Sequence, residues 1–185
     1  MALKATIFKA QFQLADMDRR NYADHAVTLA RHPSETDERM MVRLLAFALH
    51  VPVDTAHGTL EFAKGLWDPD EPELWQKDLT GRIVQWIEVG QPEERRLAKA
   101  SGRADRVSVF AFGTSAESWW AGLGARIVRA GNVEAWRVAP EQSRELAGLA
   151  NRSMQLQVNR QDGAVYVSDG ERSVQLGVER MGSGR

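Results

Sequence analysis

The sequence predicts an α+β fold: a core of helix, three antiparallel strands, helix and strand, carrying an accessory antiparallel β-sheet. Three observations predict it. Residues 32–52, "HPSETDERMMVRLLAFALHVP", combine helical periodicity with capping chemistry, and three short apolar segments follow, separated by turn residues. The C-terminal stretch "SMQLQVNRQDGAVYVSDGERSVQLGVER" alternates apolar with polar residues around two Asp-Gly dipeptides, which is the pattern of a three-stranded meander.

The elements follow in order. Residues 2–14 have strand composition, and 22–31, "YADHAVTLAR", suit either a strand paired with them or a short helix; the hairpin is the preferred reading. In the helix, Pro33 precedes an expected N-cap at Ser34, which with Asp37 resembles a capping box. Met41, Leu44, Leu45 and Ala48 recur at helical spacing, and Pro52 marks the end. The segments 59–66, 72–78 and 82–90 then form an antiparallel meander, with the breaker-rich "WDPDEP" and the hairpin-length Leu79-Thr80-Gly81 between them. Pro92 suits the first turn of a helix through "EERRLAKASGRA", and "RVSVFAFG" reads as a buried strand. "SAESWWAGLGARI" predicts a helix whose Trp119 and Trp120 cover the sheet; "VEAWRVAP" predicts a strand and "EQSRELAGLA" a short helix.

With 185 residues, 43% of them hydrophobic, the chain has enough apolar mass for one compact domain over 1–185, its core at about 34–138 and its accessory sheet at about 2–31 and 152–180. The absence of cysteine excludes disulfides and thiolate metal sites. No apolar run approaches the roughly 18 residues needed to span a bilayer, and the first residues lack a signal core, so a soluble, cytoplasmic protein without a membrane partner is expected. A formal net charge of -1 gives no global attraction to nucleic acid. Any such partner has to meet a local basic patch, for which Arg95, Arg96, Lys99, Arg103 and Arg106 are the candidates; a solvated helix face is the competing reading.

One residue in the meander demands an explanation. Glu88 lies within "RIVQWIEVG", a run that otherwise reads as a buried strand, and an isolated buried carboxylate costs several kcal/mol unless protonated, paired or bound to a cation. The four histidines show no metal-ligand spacing, and "GLGARIVRAG" fits no phosphate-loop or dinucleotide pattern.

The element order, with Pro72-Glu73 opening the second meander strand and Glu88 on the third, resembles the PD-(D/E)XK nuclease-like superfamily. At a finer level, four strings are similar to the YaeQ family, a variation of that fold: "MALKATIFKA" at the start, "TLARHPSETDERMMVRLLAF" at 28–47, "DEPELW" at 70–75 and "WIEVGQPEERRLAKA" at 86–100. The resemblance implies that Glu73 and Glu88 hold a divalent cation, Mg²⁺ or Mn²⁺, through oxygen ligands, with Asp78 the alternative to Glu73 should the register differ. It further implies a lysine two residues after the second acid, where this chain has Gly90, and suggests that Lys99 on the following helix has taken over, with Arg95 one turn earlier helping to bind phosphate. Glu38 faces the helix interior beside Met41 and Leu45; it either assists at the site, as first-helix acids do in such folds, or pairs with an arginine. The implied function is metal-dependent phosphodiester hydrolysis of nucleic acid; the alternatives are a non-catalytic module binding nucleic acid or protein, and a structural protein whose buried acids satisfy arginines.

Overall fold

The structure, a computed structural model, describes residues 3–182. Residue 2, at the start of the expected hairpin, lies outside this range. The chain runs β1 (Thr6–Asp16), β2 (Asn21–Arg31), α1 (Asp37–His50), β3 (Leu60–Phe62), a 3₁₀ turn at Gly65–Trp67, β4 (Leu74–Lys77), β5 (Ile83–Val89), α2 (Glu94–Arg103) and β6 (Ala104–Phe112). It continues through α3 (Ala116–Ala130), β7 (Val133–Val138), α4 (Pro140–Ala147), β8 (Ser153–Gln161), β9 (Ala164–Ser168), β10 (Ser173–Gly177) and β11 (Glu179–Arg180).

Two mixed sheets result. The first has the order β10-β9-β8-β1-β2 and the second β11-β7-β6-β5-β4-β3. Alternation builds the first: Phe8, Ala10, Phe12 and Leu14 of β1 and Met154, Leu156 and Val158 of β8 turn inward, while the residues between them face out. Their inner face packs on α1 and on Leu146 and Leu149 at the α4 end, and these meet Leu74, Ile87, Val89 and Phe110 of the second sheet. The other face of that sheet, carrying Trp86, Val107 and Val109, is covered by Leu97 and Ala100 of α2 and by α3. Trp119 and Trp120 belong to this second cluster, as expected, and Trp119 Nε1 donates to the Pro92 carbonyl at 2.8 Å.

The accessory sheet differs from expectation first in being mixed. β1 and β2 are antiparallel and so are β8, β9 and β10, but β1 and β8 pair in parallel, Lys9 opposite Ser153 through Asp16 opposite Arg160. Hairpin chemistry fixes the direction of strands joined by a turn. It says nothing about two strands brought together from opposite ends of the chain across an intervening core. β11, expected at the end of the accessory sheet, instead pairs with β7 in the other one.

The start of α1 also differs. Thr36, not Ser34, is the N-cap, accepting from the Arg39 N–H, because Ser34 is engaged in a turn with His32. Asp37, the other half of the expected box, pairs with Arg31. The opposite end of α1 is closed from the first sheet. Arg19 donates to the carbonyls of Ala48 and Val51 at 3.1 and 2.9 Å, and Asn21 Nδ2 donates to Val51 at 3.0 Å. Fully buried Asp16 holds Arg19 Nε at 2.6 Å. Removing Asp16 leaves a guanidinium unpaired and its capping contacts unsupported, so Asp16→Ala should lower stability by about 2–3 kcal/mol, below the range for a fully buried pair because Arg19 is partly solvated. Arg19→Ala should cost about 1–2 kcal/mol, the scale of lost caps. Urea melts of both variants check the order.

Candidate functional site

The antiparallel β4–β5 pair brings the two acids together. Leu74 lies opposite Ile87, and the Glu73 N–H donates to the Ile87 carbonyl at 3.1 Å, so Glu73 stands beside the strand position next to Glu88. Both residues are only 3% exposed. They line one cleft of about 480 Å³ together with Arg39, Arg96, Leu66, Gly90 and others at the C-terminal end of β5.

Each carboxylate is clamped from a different face of the sheet. Glu73 Oε1 accepts from Arg39 Nη2 at 2.5 Å, and its Oε2 lies 3.7 Å from Arg43 Nε. Glu35 completes this side: Arg39 Nη1 reaches its Oε2 at 2.5 Å and Arg43 Nη2 its Oε1 at 2.7 Å. Arg39 also donates to the Val89 carbonyl at 3.2 Å, tying α1 to the end of β5. Glu88 faces α2, and its Oε1 accepts from Trp86 Nε1 and Arg96 Nε, each at 2.8 Å. Burial pushes the Glu88 carboxyl above its ordinary value of 4.5, against the bonds from Arg96 and Trp86, and nearby Glu73 pushes the same way.

Two glycines shape the cleft. Gly65 has φ +53°, and a Cβ there would sit 2.3 Å from Glu73 Oε2, so only glycine lets the 3₁₀ turn press against the acid. Gly90, which follows β5, has φ +102°, and its N–H donates to the Phe110 carbonyl at 2.9 Å. There is space for a side chain at Gly90, but the backbone conformation disfavours one.

The other expected site residues fall elsewhere. Glu38 accepts from Ser143 Oγ of α4 at 2.6 Å and, among the described residues, pairs with no arginine. Asp78 sits at the far end of β4, where its Oδ1 organises the hairpin by accepting from Thr80 and Arg82. Lys99 pairs with Asp70 on the surface, and Arg95 is exposed outside the cleft lining. The cation that meets Glu88 is Arg96, Arg95's neighbour. Sequence reasoning missed Glu35, Arg39, Arg43 and Arg96 as members of the site; the two α1 arginines, four residues apart, were the available signal for a partner of Glu73.

The basic patch is largely engaged within the molecule. Arg96 donates to the Pro69 and Glu71 carbonyls at 2.8 Å each, Arg103 donates to the Asp70 carbonyl at 2.8 Å, and Lys99 holds the Asp70 side chain. Together they pin the loop that carries one wall of the cleft.

The donor set suits a small hard cation. Mg²⁺ is commonly held by one or two carboxylates, with waters and phosphate completing its shell, and a carboxylate has more lone pairs than one guanidinium occupies. Among the described residues no group of three or more His, Asp or Glu gathers for a metal. No helix of the described residues is long and apolar enough to cross a membrane.

Fold and site define a two-sheet α+β protein with a cleft in which buried acids face arginines. This chain belongs to the YaeQ family, whose model, described as YaeQ protein, matches residues 1–178. It is 42% identical to the Uncharacterized protein YaeQ of Salmonella typhi and 41% identical to that of Escherichia coli strain K12, each over 177 residues and 95% of both chains. It is also similar to the crystal structure of YaeQ protein from Xanthomonas axonopodis pv. citri, with TM-score 0.89, 42% identity and coverage of 96% of this chain and 98% of that one. For the structure of YaeQ protein from Pseudomonas syringae the values are 0.84, 36%, 98% and 97%.

The raised Glu88 pKa has a consequence for stability. A carboxyl that ionises less readily folded than unfolded favours the native state below 4.5, and this contribution is lost as pH rises through the folded value. Glutamine carries no such charge. The stability of Glu88→Gln relative to wild type should therefore improve as pH rises from 4.5 through the folded value and level off above it. Urea melts across that range test this, and a difference that stays flat or worsens with pH contradicts it.

Proposed function

We propose that the cleft binds a divalent cation, Mg²⁺ or Mn²⁺, at Glu73 and Glu88 and hydrolyses phosphodiester bonds of nucleic acid. The observation that carries this reading is the pair of buried acids, Glu73 immediately before β4 and Glu88 on β5, opening into one cleft with two arginines. The order α1, β3-β4-β5, α2, β6, with β6 parallel to β5, supports the relationship to PD-(D/E)XK nucleases. When bound, the cation would lower the pKa of a water and neutralise charge on the phosphate. Hydrolysis adds that water across a P–O ester bond, and the proton it releases ends on the leaving oxygen. Arg39 and Arg96 stand in the cleft to offset charge on the non-bridging oxygens, the role expected of Arg95 and Lys99. Lys99 acts at one remove, by holding the 68–71 loop.

A second reading has its own observation. Both acids already bond guanidiniums, which favours a charge-paired, non-catalytic cleft that binds nucleic acid or protein. Calorimetric titration with Mn²⁺, alongside cleavage assays on single-stranded and duplex DNA and RNA at low salt, separates the two. On the first reading the wild type binds Mn²⁺ and cleaves, Glu73→Gln and Glu88→Gln lose affinity by roughly tenfold or more, and Asp78→Asn does not. No Mn²⁺ binding by the wild type, or equal binding by all three variants, rejects the metal site. Mn²⁺ binding without cleavage of any substrate rejects hydrolysis and leaves the binding module.

A further inference from the structure

A second cavity adjoins the cleft. It measures about 210 Å³, and Leu66 and Glu73 belong to the walls of both. Aromatic rings line it: Trp67, 40% exposed, sits against His32 with ring centroids 4.4 Å apart, and Phe62 is a further wall. His32 is fixed in place, because the Ser34 N–H donates to its Nδ1 at 3.0 Å, which puts the ring proton on Nε2. Polar groups meet the rings. Glu35, Glu73 and Arg43 line the cavity, and Arg43 Nε is buried without a hydrogen-bond partner, its closest carboxylate oxygen being the Glu73 Oε2 at 3.7 Å. Lys64 is also part of the wall.

We infer that this cavity takes one unpaired nucleobase, adenine or cytosine, of a strand whose adjoining phosphate lies in the cleft. The inference rests on the proposed function, since it names the substrate of the same site. Aromatic faces bind bases by stacking, and the volume admits one flat ring system. An orphaned buried donor and two carboxylates make an edge of mixed sign. Adenine and cytosine match it, presenting a ring-nitrogen acceptor beside an exocyclic amino donor, whereas thymine and uracil carry no amino group. Glu73, common to both cavities, puts the base pocket next to the cleft that would take the adjoining phosphate. A base within a duplex is stacked and paired along the same edge, so it would first have to leave the helix, which makes single strands the favoured substrate.

Fluorescence anisotropy tests this with labelled ten-nucleotide dA, dC and dT strands and a mixed-sequence duplex, at low salt in Mg²⁺ and in the cold. The wild type should bind the dA and dC strands about tenfold more tightly than dT or duplex. Trp67→Ala and His32→Ala should each erase about that advantage, Trp67→Phe should keep most of it, and Tyr166→Ala, on the outer face of β9 and not part of the cavity wall, should change nothing. Circular dichroism identifies any variant that fails to fold, and Trp67→Phe, which keeps a ring, carries the test if Trp67→Ala is such a variant. Equal binding of duplex and single strand, no preference for dA and dC over dT, or no effect of Trp67→Ala in a folded protein overturns the inference. Absence of all strand binding by a wild type that binds Mn²⁺ through Glu73 and Glu88 also overturns it, while leaving the metal reading intact. Base-selective, Trp67-dependent binding without any Mn²⁺ binding has the reverse meaning.

Discussion

The enclosure of α1 between two sheets is the constraint from which the rest of the structure follows. Ten consecutive residues, Met40 to Leu49, are buried, so this helix presents no solvent face over most of its length. Such a helix can hold charge only where partners are supplied. Arg43 lies within that buried stretch, and Glu35, Glu73 and the Ala30 carbonyl meet its guanidinium. Arg39, one turn earlier, stands where the enclosure opens, and its single fork binds Glu35, Glu73 and the Val89 carbonyl. A cluster that begins as a solution to burial thereby fixes the helix against β4 and β5.

Much of this was legible in the sequence. Glu88 was conspicuous because an acid interrupted a buried strand, and Glu73 because it opened the strand beside it. The hairpins, α1 and the C-terminal meander carried local signals in their turn residues and periodicity. What was not legible depended on tertiary placement. Helical spacing put Arg95 with Lys99, yet residues one apart on a helix are turned by about 100°, and only the seating of α2 on the sheet decides which of Arg95 and Arg96 meets Glu88. Glu38 faced inward as expected, but the inward side of α1 also meets α4, whose Ser143 lies 105 residues away in sequence. The parallel pairing of β1 with β8 and the return of β11 to the core sheet were equally beyond local pattern.

The positions of the two acids explain how both stay buried without a third ligand. Like charges at the start of β4 and the end of β5 repel, and that repulsion contributes to the raised Glu88 pKa. The clamps relieve it from opposite sides, Arg39 and Arg43 reaching Glu73 from α1 and Arg96 reaching Glu88 from α2. Neither helix has to cross the sheet, and the space between the carboxylates is left to the cleft. The glycines at 65 and 90 keep that space, one by bringing backbone against Glu73 and the other by turning the chain away after β5.

The location of the cations then bears on what the cleft can recognise. Arg96, Lys99 and Arg103 look in sequence like a surface stripe for a polyanion, but they bind the 68–71 loop. A phosphate backbone lying across α2 would have to compete with those bonds, and so would one reaching Arg96 from the cleft; Arg39, held by Glu35 and Glu73, is the cleft guanidinium not tied to that loop. Preorganised, partly desolvated donors interact more strongly with an anion than mobile surface lysines do, and they are less weakened by salt. On the proposed function, recognition would be directed inward, to one phosphate and its immediate neighbourhood rather than to a long stretch of nucleic acid surface, in keeping with a formal net charge of only -1.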